Sequence, residues 1–192
     1  MIEMEKKILL EEREYRFLLD TLYPGLHPVR QVNHYYDTAN FAMNEKRITC
    51  RVREKGNTLC ATVKYHANGN LPEESMEYSF SIGAIPSVLV YREQDLLLYG
   101  SLETERRQII DNGLRICIDQ NRYLGTTDYE LEIEYEEGRE NSVARVLRRI
   151  ADALVREGLI RDPESFLYRL PATKSERFFA RFREQKAKGQ AC

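Results

Sequence analysis

The feature that most constrains this chain is a repeated alternation of period two in which the charged parity of each short segment is sorted by sign. Within residues 1 to 10, Glu3, Glu5 and Lys7 occupy one parity and Ile2, Met4 and Ile8 the other. Side chains two apart on a strand share a face, so this segment predicts a strand with one charged and one apolar side. Arg51 and Arg53 stand the same way against Val52, Thr62 and Lys64 against Val63, and Glu130, Glu132 and Glu134 against Leu131, Ile133 and Tyr135. Taken singly, each segment suits an ordinary sheet whose charged face is solvated. Taken together they form a different pattern, because solvated faces mix polar residue types. Here one strand carries carboxylates in a row and another carries paired arginines. Like charges on one face repel. Three glutamates would be relieved by a divalent cation, and two arginines by an anion whose oxygens match their planar forks. A closed barrel with the charged parity inward brings both to one cavity and leaves the apolar parity outside, beneath helices.

Further strand-like runs are predicted near 31–37, 46–54, 59–65, 76–81, 102–111, 114–119 and 128–136. Turn-prone groups separate them, among them Lys55-Gly56-Asn57, Asn68-Gly69-Asn70 and the strong hairpin signal Asn112-Gly113. A helix is predicted over 11–22, where Tyr15, Leu18, Leu19 and Leu22 recur at helical spacing before Pro24-Gly25. A second is predicted over 86–99, opened by Pro86-Ser87 and stopped by Gly100. A third is capped by Ser142, carries Val143, Val146, Leu147, Ile150 and Leu154 on one face, and ends at Gly158. The Arg/Lys-rich tail beyond Lys174, with Phe178, Phe179 and Phe182, fits either a packed helix or a frayed end that is mobile after about residue 180. Neither a linker nor a repeat divides residues 1–192, so one domain is expected.

Several function classes are excluded at this stage. With 29 basic and 31 acidic side chains the net charge is −2, which gives no field for recruiting nucleic acid. No stretch approaches the roughly 18 apolar residues of a membrane span. Cys50, Cys60, Cys117 and Cys192 form no CxxC pair and read as free thiols of a reducing cytoplasm. His34 and His66 read as solvated or hydrogen-bonding residues, and His27 as part of a loop. A glycine-rich phosphate loop, HExxH and GxSxG are all missing, so contact with phosphate must come from side chains.

Glu3-Met4-Glu5-Lys6-Lys7 matches the ExExK signature of the CYTH family, the triphosphate tunnel metalloenzymes. The resemblance continues through Tyr36-Asp37-Thr38, Arg51-Val52-Arg53, Thr62-Val63-Lys64, residues 104–107, Asp119 and Glu132-Ile133-Glu134. It covers at least residues 1 to 136 and looks most like a bacterial branch of triphosphatases and adenylate cyclases. What it implies is an α+β fold built on a closed eight-stranded antiparallel β-barrel, a tunnel, with helices packed outside. It implies that Lys7, Arg51, Arg53, Lys64 and Arg106 bind phosphate. It implies that Glu3, Glu5, Glu132 and Glu134 hold Mg²⁺ or Mn²⁺ with help from Asp119, and that Glu5, Glu132, Glu134 and Lys7 carry catalysis. Shared parity adds Glu130 to the metal set and Arg115 to the phosphate set, with Glu77 beside them. Of Arg106 and Arg107 only one can face inward, and Arg106 is expected to. The implied activity is metal-dependent hydrolysis of a triphosphate, inorganic triphosphate foremost. Such an enzyme would be cytoplasmic, would act on a triphosphate-containing small molecule rather than nucleic acid or membrane, and leaves room for a homodimer. Two other readings stand beside it: a class IV adenylate cyclase with a base pocket at the tunnel mouth, and a non-catalytic polyphosphate- or nucleotide-binding module.

Overall fold

The computed structural model describes residues 2–66, 74–169 and 171–189, without the side chains of Ile2, Glu3 and Glu74. The expected turn at Asn68-Gly69-Asn70, the Glu3 side chain and Cys192 lie outside the described residues. The fold is α+β, with nine antiparallel strands in one curled sheet among the described residues. In chain order they are β1 (Ile2–Leu10), β2 (Val29–Asp37), β3 (Ile48–Lys55), β4 (Thr58–His66), β5 (Glu74–Ser81), β6 (Val88–Tyr91), β7 (Gln94–Asp111), β8 (Leu114–Tyr123) and β9 (Thr126–Tyr135). Their order across the sheet is β2-β3-β4-β5-β1-β9-β8-β7-β6. The sheet curls until β2 also pairs with β7, in register from Val29↔Arg106 to Asp37↔Leu97. That register slips between Tyr35 and Tyr36, opposite Gly100. Gly100 has φ +146°, and a Cβ there would meet the Phe178 ring at 3.1 Å, so both backbone freedom and close approach call for glycine.

Helices are α1 (Glu12–Phe17), running into a π-helical stretch over Leu18–Leu22, then α2 (Ala42–Glu45), α3 (Glu140–Arg156), α4 (Pro163–Leu167) and α5 (Lys174–Ala187). The apolar parity faces outward and is covered on β1, β8 and β9, whereas Met76, Tyr78 and Phe80 on β5 stay exposed. Ile8, Ile116, Ile118, Leu131 and Ile133 on β1, β8 and β9 pack against Leu18, Val146, Leu147, Ile150, Leu154 and Phe166 in the largest core. At about 1.5–3 kcal/mol per fully buried aliphatic or aromatic side chain, this contact holds the helices to the sheet. On the opposite wall Tyr36, Cys50, Val52, Ala61 and Leu96 form a second cluster. The third joins Tyr35, Leu102 and Tyr123 to Phe178 and Phe179, and it seats α5.

Two sequence expectations are corrected. Residues 86–99 are not helical: Val88–Tyr91 and Gln94 onward pair as an antiparallel hairpin, from Val88↔Leu97 to Tyr91↔Gln94. Its two turn residues, Arg92 and Glu93, both have positive φ (47° and 62°), a job usually done by Asn-Gly, so the usual turn signal is missing. The β-branched and aromatic residues Val88, Val90 and Tyr91 favour the extended state. The third predicted helix starts earlier than Ser142, with Arg139 at the N-cap position and no side-chain cap. The tail is helical through Ala187.

Candidate active site

The inward parity of the curled sheet encloses a cavity of about 230 Å³. Glu5 and Lys7 reach it from β1, Arg51 and Arg53 from β3, Lys64 from β4, Glu77 from β5, Arg106 from β7, Arg115 from β8, and Glu132 and Glu134 from β9. Strand register explains their convergence: Glu5 stands opposite Glu134, and Lys7 opposite Glu132. Lys64 likewise stands opposite Glu77. Arg106 points into the cavity, whereas Arg107 points away and donates to the Tyr15 hydroxyl at 2.7 Å. Asp119 and Glu130 do not line the cavity but lie fully buried behind it. Arg115 sits at an open end, about half exposed.

One wall is acidic. Arg106 forks onto Asp119 through Nε–Oδ1 at 2.9 Å and Nη2–Oδ2 at 2.8 Å, and its Nη2 also reaches Glu132 Oε2 at 3.0 Å. Its Nη1 donates to Glu134 at 3.3 Å. Burial opposes the charge on Glu132, yet Arg106, Lys174 and Lys7 outweigh it and hold the carboxyl well below the usual carboxylate range. Burial likewise opposes the charge on Glu130, where Lys174 and Arg177 keep the pKa lowered. Lys7 is mostly desolvated too, and Glu5, Glu132 and Glu130 raise its pKa despite that desolvation. Lys7 donates to Glu5, and Lys64 reaches the same Glu5 oxygen at 3.3 Å.

The facing wall is basic and under-compensated. Among the described residues no ion pair engages Arg53, whose Nε donates to Asn33 at 2.9 Å. Burial, together with Arg51 and Arg106, pushes its pKa down to about 10. Arg51 reaches Glu77 only at 3.4 Å, and its Nε is buried without a partner. Gln31 Nε2 and Ser175 Oγ also line the cavity, buried and unpaired. Unmet N–H donors cost about 1–3 kcal/mol each when buried, so a set aimed at one space points to an acceptor there. Eight basic side chains line the cavity against four carboxylates. Its size falls below the roughly 300–1,000 Å³ of drug-sized ligand pockets, which favours a compact polyanion.

The sequence reading missed several of these groups. Lys174 opens α5 and projects to Asp119 at 2.9 Å, Glu130 at 3.0 Å and Glu132 at 3.2 Å. Thr173 and Glu176 form a capping box at that helix start, a pattern legible as Thr-x-x-Glu. Nothing local marks Lys174 as inward. Gln31, Thr49 and His66 were likewise missed as lining groups. Burial, Lys64 and Lys7 push the His66 pKa down to about 3, so it is neutral beside Thr49 Oγ1, 3.1 Å from its Nε2.

Hard carboxylate oxygens are the donors that Mg²⁺ and Mn²⁺ prefer, and the directly opposed Glu5 and Glu134 gain from a cation between their strands. The donor set therefore fits such an ion in kind. Among the described residues, however, no three His, Cys, Asp or Glu side chains form a ready-made metal group, since basic side chains meet the acids first.

The model of the CYTH domain matches residues 1–160. The chain belongs to the CYTH family. A protein named "Putative triphosphatase YjbK", from Bacillus subtilis (strain 168), is 31% identical over 155 residues, covering 72% of this chain and 82% of its own. Two solved structures share the CYTH fold of this chain. The bh2851 protein of Bacillus halodurans superposes with a TM-score of 0.66 at 23% identity, over 92% of this chain and 97% of its own. HpAC1 of Hippeastrum, described as a "Putative adenylyl cyclase" that reveals a dominant triphosphatase activity, gives 0.65 at 20% identity, over 95% of each chain. In this CYTH protein no helix among the described residues is long and apolar enough to cross a membrane.

Proposed function

We propose that the chain hydrolyses a triphosphate, inorganic triphosphate foremost, inside a closed eight-stranded tunnel, with Mg²⁺ or Mn²⁺ as cofactor. The carrying observation is Arg53: a half-buried guanidinium crowded by two others, engaged by no ion pair among the described residues and facing a cavity with further unmet donors. Such a cluster is relieved by a polyanion. The names of YjbK and HpAC1 support triphosphate hydrolysis as the reaction. Tyr35 and His66 are the only rings among the described lining residues, which leaves little surface for stacking a base and favours inorganic triphosphate over a nucleotide and over cyclase chemistry. We read residues 1–192 as one domain, because α5 supplies Lys174 to the same acids that the strands carry, and as cytoplasmic, because Cys50, Cys60 and Cys117 are free thiols.

In this mechanism Lys7, Arg51, Arg53, Lys64 and Arg106 hold the phosphate oxygens in line and neutralise their charge, with Arg115 drawing the anion in at the mouth. Glu3, Glu5, Glu132 and Glu134 would hold the divalent ion, which supplies charge neutralisation and a more acidic bound water. Glu132, kept ionised by its cations, and its neighbour Glu134 orient the attacking water. Phosphoryl transfer asks little covalent chemistry of protein, so placement and charge carry the rate.

The test is phosphate release from inorganic, thiamine and nucleoside triphosphates with Mg²⁺ or Mn²⁺, beside an assay for cyclic AMP. Fastest release from inorganic triphosphate is expected. Cyclic AMP formation without orthophosphate, or no turnover of any compound, would overturn the reading.

A further inference from the structure

Strand β5 is paired on both sides for only part of its length. On one side β4 runs with it from Ser75 to Ser81. On the other side β1 reaches only Glu74, Ser75 and Met76, with Ile2 opposite Met76. Among the described residues no strand pairs with residues 77–81 on that side. The Ile82 N–H donates to Leu59 O at 3.1 Å, which continues the β4 register and turns the backbone groups of the even-numbered β5 residues toward β4. Glu77, Ser79 and Ser81 therefore present their N–H and C=O groups to the open edge, a template for a further strand.

The outward face beside this edge is apolar. Met76, Tyr78 and Phe80 are 44%, 58% and 59% exposed, and Tyr65, Tyr91 and Arg92 extend their surface as a cleft. At about 150–250 Å² per aromatic side chain, the three leave roughly 350 Å² open, the size of a functional patch on a monomer. Edge strands are usually guarded by lysine, proline or a bulge. Residues 77–81 carry one charge, Glu77, and its carboxylate turns inward to Arg51 and Lys64, 3.4 and 4.0 Å away.

We propose that this edge takes a second copy of the chain, β5 pairing with β5 antiparallel about a two-fold axis at Ser79. The segment is complementary to itself in that register. Ser79 meets Ser79 and Glu77 meets Ser81, so every open N–H and C=O group finds a partner and no like charges oppose. Tyr78 of each chain stands beside Phe80 of the other on the outward face, at the closely spaced, non-hydrogen-bonded positions. An edge and three side chains per copy make a small interface, which sets the dimer at roughly micromolar strength. Tyr78 and Phe80 do not line the cavity, so the pairing stands apart from the proposed hydrolysis.

The experiment is analytical ultracentrifugation of the full chain from low to high micromolar concentration. Wild type is expected to pass from monomer to dimer. Tyr78→Lys with Phe80→Lys sets lysine against lysine in both cross-strand pairs and should stay monomeric. Tyr78→Lys with Phe80→Glu sets lysine against glutamate in both and should dimerise at least about tenfold more tightly than the double-lysine variant. A wild type that stays monomeric would overturn the proposal and leave the edge to a strand from another protein. A double-lysine variant that dimerises like wild type, or a lysine–glutamate variant no tighter than the double-lysine one, would overturn it too. The wild-type result decides the matter even where a variant fails to fold.

Discussion

Replacing Arg53 by Met separates a structural guanidinium from one held ready for an anion. In the ligand-free chain its pKa stands at about 10 against an ordinary 12.5, because burial and the neighbouring Arg51 and Arg106 disfavour the charge. Folding therefore works against that charge at neutral pH, and at about 1.4 kcal/mol per pKa unit the penalty is at most about 3 kcal/mol, and nearer half that once solvent screening is allowed. Met removes it but orphans Asn33 Oδ1, a loss of about 1–2 kcal/mol. The two effects nearly cancel. With about 2–4 °C per kcal/mol for a chain of this size, the ligand-free melting temperature should stay level or rise by a few degrees. Affinity for tripolyphosphate should fall, since a charge-assisted contact is worth about 1.5–3 kcal/mol, or roughly 10- to 150-fold. Thermal denaturation and calorimetry with tripolyphosphate in chelator would measure both. A variant that melts well below wild type yet binds the polyanion equally would refute the reasoning.

Three further outcomes are expected. Glu132→Gln should lower phosphate release by about 100-fold or more, the scale of losing one preorganised electrostatic contact, and an unchanged metal-dependent rate would count against its role. His66, whose pKa burial, Lys64 and Lys7 depress to about 3, stabilises the fold fully above its unfolded value of about 6.5 and loses that contribution as pH falls from there toward 3. His66→Gln should therefore flatten the pH dependence of urea unfolding between pH 6.5 and 4, by up to about 1.4 kcal/mol per pH unit. Phe178→Ala, at a fully buried ring, should cost about 3–5 kcal/mol and show as a lowered melting temperature, whereas a loss below 1 kcal/mol would mean that α5 is not seated as described.

The walls of the cavity were legible because period two is a local property. Glu5 and Lys7, Arg51 and Arg53, and Glu132 and Glu134 each share a parity that any correct strand assignment turns to one side. Their outward neighbours Val52, Leu131 and Ile133 likewise declared the core. Residues 88–99 misled because Leu96, Leu97 and Leu98 form a continuous apolar run that fits a helix as readily as a strand. Arg92 and Glu93 concealed the turn between the two strands that do form. Lys174 was beyond reach for another reason. Its inward direction depends on Phe178 and Phe179 docking against Tyr35, a tertiary contact that no local pattern announces.

That late placement of α5 bears on how the chain is made. Glu130 lies fully buried on β9 between β1 and β8, yet its ion-pair partners, Lys174 and Arg177, come 44 and 47 residues later in the chain. Until Lys174 and Arg177 have left the ribosome, the β8–β9 hairpin can pair only with this acid wet or protonated. Final drying of the interior therefore waits for α5, and a product truncated before residue 174 would keep a hydrated, acidic seam.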